Sequence, residues 1–289
     1  MGSATCDDCG LAISASANVC PHCARPGRFP NVRVAKEVEE SDALTARYDA
    51  AMAALTARGT RAAGEALEET VRTRSQAVIA RPIGEIERIA SSDRQGYASF
   101  YELVEAGIRI PDEEGWDVWR KSADTLFFPH YEKQMRFASL TLNGRGMPHY
   151  GDGFLVLRDD MVAHRATVFE ENSAAFVRRE TLNPDSFPAA VRGRRATWSD
   201  RGRLAVVKHH AELSATSAST DAAIAAILQR PGHSAGADDV FVEAHIYGGF
   251  TVRSLARVVV QSSKVLSKAR FRALREKLAK LGVPLEEAS

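Results

Sequence analysis

The chain has 289 residues, carries 38 Lys and Arg against 37 Asp and Glu, and is 45% hydrophobic. That length allows one sizeable domain with smaller attachments, and the balanced charge neither demands nor excludes a nucleic-acid partner, so any basic surface must be local. No apolar run approaches the roughly 18 to 20 residues that span a bilayer, and the polar start Met1-Gly2-Ser3-Ala4-Thr5-Cys6 is unlike a secretory signal, so a cytoplasmic protein with no membrane partner is expected.

All four cysteines fall in the first 23 residues, as Cys6-Asp7-Asp8-Cys9 and Cys20-Pro21-His22-Cys23. Each CxxC turn aims two thiolates at one ion, and two such turns complete the tetrahedral sulfur shell that zinc prefers. The pair resembles a zinc ribbon over residues 1–27. Two disulfides are the competing reading, disfavoured in a cytoplasmic chain whose cysteines all sit in paired CxxC turns. His22 is not needed as a ligand, and a filled shell implies a structural metal.

Arg25 to Pro30 breaks regular structure and reads as a linker. Residues 28–75 then read as a helical hairpin: one helix from about Val34 to Ala57, a break at Gly59-Thr60, and a second helix to about Ser75. Leu44, Tyr48, Met52 and Leu55 recur every three or four residues, which gives an apolar face for the main domain or for another copy of the chain.

Gln76 to Ile83 reads as a strand ending near Arg81, since Pro82 cannot donate to a sheet ladder. An arginine there is ordinarily a surface residue. The aromatics Tyr97, Phe100, Tyr101, Trp116, Trp119, Phe127 and Phe128 build a core or wall a pocket for a flat ring. In Arg136 to Asn143 the residues Ala138, Leu140 and Leu142 alternate with Ser139, Thr141 and Asn143, so the hydroxyls form either a solvated face or the floor of a ligand site. Phe154 to Leu157 and Ala166 to Phe169 read as further strands. Leu204 to Val207 leads to His209 and His210, which would point opposite ways on a strand and so imply no metal pair.

Asp221 to Gln229 reads as a short helix, and the loop from Pro231 to Gly236 delivers the chain to a strand running from Asp238 to Gly249. There Val242, Ala244 and Ile246 share one face while Phe241, Glu243, His245 and Tyr247 share the other. By period alone this is an edge strand with a solvated polar face or a strand with a functional one. Ala256 to Val260 reads as another strand. A helix from about Ser262 to Leu281 carries Lys264, Lys268, Arg270, Arg272, Arg275, Lys277 and Lys280 against Glu276, which is either a solvated face or a nucleic-acid contact.

The strand ending in Arg81, the Ser139-Leu140-Thr141 strand, the tract Tyr150-Gly151-Asp152-Gly153-Phe154-Leu155-Val156-Leu157 and the late Val242-Glu243-Ala244-His245-Ile246-Tyr247-Gly248-Gly249 together resemble bacterial and phage ADP-ribosyltransferases over roughly residues 76–260. The resemblance implies an α+β fold with a split mixed β-sheet over 76–261, preceded by the zinc ribbon and helical segment and followed by a basic helix over 262–289. It implies NAD as the substrate, Arg81 on its phosphate or ribose, Ser139 and Thr141 on the nicotinamide side, and Glu243 as the catalytic carboxylate. His245 would orient Glu243 or meet the acceptor. The implied role is that of a toxin or phage-defence effector modifying nucleic acid (RNA or DNA) or protein, with an antitoxin or immunity protein as partner. Arginine-modifying members carry Glu or Gln two residues before the catalytic Glu. This chain has Phe241 there, which speaks against a guanidinium acceptor. The alternative is a non-enzymatic adaptor that binds nucleic acid through the knuckles and the basic helix. A zinc hydrolase is weaker still, because no HExxH motif is present.

Overall fold

A computed structural model describes residues 3–6, 8–111, 115–217, 220–232, 239–261 and 266–288. Asp7 of the first knuckle, the expected loop residues 233–236, Asp238, and Ser262 and Lys264 of the expected basic helix lie outside the described residues. Strands β1 (Ser3–Thr5) and β2 (Ala12–Ser14) form a small antiparallel sheet around the cysteine turns. Each turn closes through a residue in the left-handed region, Gly10 at φ 72° and Ala24 at φ 57°. Their N–H groups return to the carbonyls of Cys6 and Cys20, at 2.9 and 3.0 Å. The stretch expected as a linker is tied to this unit, with a bridge between Val19 and Pro26 and the Gly27 N–H donating to the Asn18 carbonyl at 2.7 Å.

Helix α1 (Pro30–Ala35) starts on a proline, whose fixed φ suits a first helical turn, and is followed by α2 (Val38–Ala57) and α3 (Arg61–Arg74). Leu44, Met52, Leu55, Leu67 and Val71 enter the main core, so the expected apolar face packs on the body of the protein. Against α2 and α3 lies α10 (Arg201–His209). His209 therefore ends a helix and does not sit on a strand with His210, since the short apolar run from Leu204 to Val207 carries no period that separates the two structures.

The other helices in chain order are α4 (Ile83–Ile89), α5 (Phe100–Glu105), α6 (Trp116–Phe127), α7 (Asp159–Val162), α8 (Ser173–Glu180), α9 (Phe187–Val191), α11 (Asp221–Leu228) and α12 (Lys268–Lys280). The strands are β3 (Gln76–Arg81), β4 (Met135–Thr141), β5 (Gly153–Leu157), β6 (Ala166–Phe169), β7 (Arg195–Thr197), β8 (Glu243–Tyr247), β9 (Leu255–Val260) and β10 (Leu285–Glu287). They form one eight-stranded sheet in the order β10-β9-β5-β3-β4-β8-β6-β7. Among the described residues only the β9–β10 pair is parallel, so the architecture is α+β with a mixed sheet. No described helix is long and apolar enough to cross a membrane.

Strand alternation splits the sheet's two faces cleanly. Ala77 and Ile79 of β3, Ala138 and Leu140 of β4, Ala166 and Val168 of β6, and Val242, Ala244 and Ile246 around β8 join the main core beneath α2, α3, α10 and α12. The opposite face is divided. An aromatic cluster that includes Phe127, Phe128, Phe169 and Phe176 lies beneath α6, α8 and α9, while Val78, Ala80, Phe154, Val156 and Val259 form a smaller cluster.

Helices α10 and α3 approach closely at Gly202 of α10, where a Cβ would collide with the Glu68 carbonyl of α3 and crowd the Arg72 Cβ at 3.1 Å. Gly202→Ala should therefore force the two helices apart and cost about 1–3 kcal/mol, read from urea denaturation. An unchanged midpoint would show that the interface yields freely.

Candidate functional site

The site starts from a row of cross-strand neighbours. Val78, Ser139, Glu243 and Phe169 lie opposite one another across β3, β4, β8 and β6. Directly opposed residues have Cβ atoms about 5 Å apart, so Ser139 and Glu243 project side by side from the same face. That face is not solvated. Strand β8 lies inside the sheet between β4 and β6, and Phe241, Glu243 and His245 are all buried.

A carboxylate 2% exposed needs several donors to remain charged. Glu243 has three, each from a different part of the chain. Arg120 Nη2 of α6 lies 3.1 Å from its Oε1. The Ser173 N–H, at the start of α8, and His245 Nε2 lie 2.8 and 3.0 Å from its Oε2. Burial pushes the Glu243 carboxyl up, but Arg120, His245 and the Ser173 side chain outweigh it and hold it at about 2. Burial likewise lowers His245, so the ring is neutral, and its Nε2 carries the proton because a carboxylate only accepts.

Arg120 is held as firmly as the group it holds. Its Nη1 donates to Ser173 Oγ at 2.9 Å, its Nη2 reaches Asn172 Oδ1 at 3.3 Å, and its guanidinium lies 4.5 Å from the Phe137 ring centre. Asn172 also caps α8, accepting from the N–H groups of Ala174 and Ala175. One turn along α6, Asp124 lies 3.5 Å from Arg120 Nη1 and accepts from the Tyr101 hydroxyl at 3.0 Å. Burial pushes the Asp124 carboxyl up to about 7, against the pull of Arg120 and Tyr101.

Above this frame opens a cavity of about 210 Å³, at the seam between the two clusters on this face. One water needs about 10–15 Å³ on the same measure, so the space admits an organic ligand. Arg81, Ser139 and Glu243 all line it, together with Arg109, Arg120, Arg136, Asp117, Asp124 and Asn172. Tyr97, Phe100, Tyr101, Trp116, Phe137, Tyr150 and Phe241 supply its aromatic walls. The expectation of an aromatic-walled pocket thus holds for Tyr97, Phe100, Tyr101 and Trp116, whereas Phe127 and Phe128 are core.

Arg81 is fixed by the Tyr97 hydroxyl and lies 3.7 Å from Glu85, and burial lowers it to about 10, which leaves it charged. Ser139 Oγ accepts from Gln229 Nε2 at 2.8 Å, so its own proton is free to be donated. Thr141 does not line the cavity: two residues further along β4 it pairs with Asn143 Oδ1 at 3.0 Å. His245 does not line it either. It is enclosed by Phe127, Phe128, Phe137 and Phe169, which suits orienting Glu243 and keeps it from anything bound in the cavity. Sequence reasoning missed Arg120, Ser173 and Gln229, which meet Glu243 or Ser139 only through the fold, and Asp124 and Asn172, which meet Arg120.

The four cysteine sulfurs lie within 4.8 Å of one another and could hold a metal ion such as zinc. Cys6 and Cys23 are 3.9 Å apart and Cys9 and Cys20 are 3.7 Å apart, close to the roughly 3.8 Å edge of a tetrahedron with 2.3 Å zinc–sulfur bonds. The unit is joined to the end of β8, where the Tyr247 hydroxyl donates to Asn18 Oδ1 at 2.8 Å, and α1 follows it there, with Asn31 Nδ2 donating to the His245 carbonyl at 3.1 Å.

The frame has a pH signature. Glu243 sits below its ordinary 4.5, so it stabilises the fold above that pH and loses the contribution as pH falls through about 2. Asp124 sits above its ordinary 3.8, so its contribution is complete below that pH and is lost as pH rises through about 7. Urea titrations of Glu243→Gln should show an acid limb between pH 4.5 and 2 that is shallower than wild type by on the order of 3 kcal/mol. Equal limbs would mean that Glu243 is not held ionised by its partners.

No protein-family model matches the chain, and a search of curated proteins gives no significant match.

Proposed function

We propose that this chain is an NAD-dependent ADP-ribosyltransferase whose reaction occurs in the cavity above Glu243. One observation carries the reading: Arg81, Ser139 and Glu243, from three adjacent strands, line a single aromatic-walled cavity. Cleaving the nicotinamide–ribose bond develops oxocarbenium-like charge on the ribose. A carboxylate already ionised, and fixed before substrate arrives, stabilises that charge without reorganising. Glu243 meets this requirement, with His245 and the Ser173 N–H fixing one oxygen. The planar fork of Arg81 suits the pyrophosphate, and the Ser139 hydroxyl can donate to the nicotinamide side. Phe241, which lines the cavity, leaves no carboxylate or amide two residues before Glu243 for a guanidinium acceptor.

Nucleic acid is the acceptor class we favour. Helix α12 buries Leu274 and Leu278 and exposes Lys268, Arg270, Arg272, Arg275, Lys277 and Lys280 against Glu276. The same face supports the second reading, a nucleic-acid adaptor without enzymatic activity. In the favoured reading the biological role is that of a cytoplasmic toxin or phage-defence effector, held in check by an antitoxin or immunity protein.

The assay is nicotinamide release from NAD by purified protein. Wild type should release it, and Glu243→Gln, with an unchanged circular-dichroism spectrum at pH 7, should fall by about 100-fold or more. Undiminished release by that variant would sink the assignment. RNA or DNA binding that weakens with salt, without any nicotinamide release, would favour the adaptor.

The metal in the ribbon is, in this reading, zinc with a structural role. Elemental analysis should find about one zinc per chain in wild type and none in Cys20→Ser, whose eight-stranded sheet should survive. A metal-free wild-type chain would contradict this.

A further inference from the structure

We infer that Asp124 is the general base of the transfer step, the group that takes the proton of the attacking acceptor. This rests on the NAD reading of the same cavity. Asp124 is 1% exposed and lines the cavity; its Oδ2 accepts from the Tyr101 hydroxyl, whereas its Oδ1 makes no hydrogen bond and meets only Arg120 Nη1, at 3.5 Å. A buried carboxylate oxygen with a cation at 3.5 Å but no hydrogen bond is under-satisfied, and a ligand that brings a donor relieves the cost. The charged and titratable groups around it are Arg120 of its own helix, Tyr101 of α5 and Glu243 of β8.

Two carboxyl groups therefore share the single guanidinium of Arg120, and their surroundings drive them apart. Three donors keep Glu243 ionised, whereas Asp124, with a single donor of good geometry, titrates near neutrality. Paired carboxyls separated in this way have separate tasks. Glu243 remains a charge facing the ribose. Asp124 takes and releases a proton in the range where a general base is most effective.

The step balances. The bond between the ribose C1′ and the nicotinamide nitrogen breaks, and its electron pair neutralises the pyridinium as nicotinamide leaves. The acceptor oxygen or nitrogen bonds to C1′, its proton passes to Asp124 Oδ1, and the carboxylic acid then returns that proton to solvent.

The test uses NAD hydrolysis, with water as the acceptor, and reads nicotinamide release across pH 5 to 9 together with NAD affinity. Wild type should gain activity as pH rises through about 7. Asp124→Asn should bind NAD but lose that limb and about 100-fold in turnover. Tyr101→Phe removes a hydrogen bond that lowers the Asp124 pKa, so its limb should move to higher pH. Wild-type turnover with an unmoved limb in Asp124→Asn would overturn the inference and leave the NAD reading standing, as would an Asp124→Asn that merely melts earlier without change in profile. A wild-type protein that neither binds NAD nor releases nicotinamide would overturn the NAD reading and this inference with it.

Discussion

The buried charge of Glu243 is the constraint around which the interior is arranged. An isolated carboxylate in an apolar core would cost many kcal/mol and would protonate instead. Here it is kept ionised by Arg120 from α6, the first backbone N–H of α8, and His245 two residues along its own strand. Each donor fixes the element that carries it. The ion pair thus sets where α6 and α8 lie on the sheet, and those two helices pack on each other above the aromatic cluster. Such an arrangement is weak evidence for stability, since apolar residues of similar volume often stabilise as well or better. It is better evidence for a group whose charge is needed.

The position of the cavity follows from the same arrangement. Aromatic residues fill the face beneath α6 and α8, and Val78, Ala80, Phe154, Val156 and Val259 of β3, β5 and β9 cover the rest. Where the two clusters meet, neither fills the space, and Ser139 and Glu243 project from adjacent strands into the gap. Four arginines line it; Arg120 pairs with Glu243, and the other three have carboxylates of their own: Arg109 at 2.6 Å from Asp117, Arg136 at 3.0 Å from Glu102, and Arg81 at 3.7 Å from Glu85. An anionic ligand could exchange with Glu102 at modest cost, because that side chain is half-exposed. Exchange at Glu243 would leave a buried ion unpaired, so this pair remains part of the frame.

What the sequence revealed and what it withheld divide along the range of the interactions involved. The cysteine knuckles were legible because a CxxC turn is local and its chemistry narrow. Alternation around Glu243 was legible for the same reason, and Val242, Ala244 and Ile246 do face the core opposite Glu243 and His245. The burial of that polar face was not, since nothing local says which strand lies between two others. Arg120 is 123 residues from Glu243, on a helix whose pattern reads as amphipathic and no more. Thr141 shows the converse limit: alternation put it on the face of Ser139, but two residues of strand rise, about 6.6 Å, carry it past the cavity. The three-residue strands β7 and β10 are too short to show a period, and α10 carries a run of apolar residues that suits either structure.

The most direct test of the account is a crystal structure of the protein with NAD bound. It should place the hydroxyls of the nicotinamide ribose within hydrogen-bond distance of Glu243, with the Arg120 pair intact and the pyrophosphate toward Arg81. NAD seated elsewhere, or a ribose that leaves Glu243 closed off behind Arg120, would contradict the claim that this buried carboxylate is held in place for chemistry.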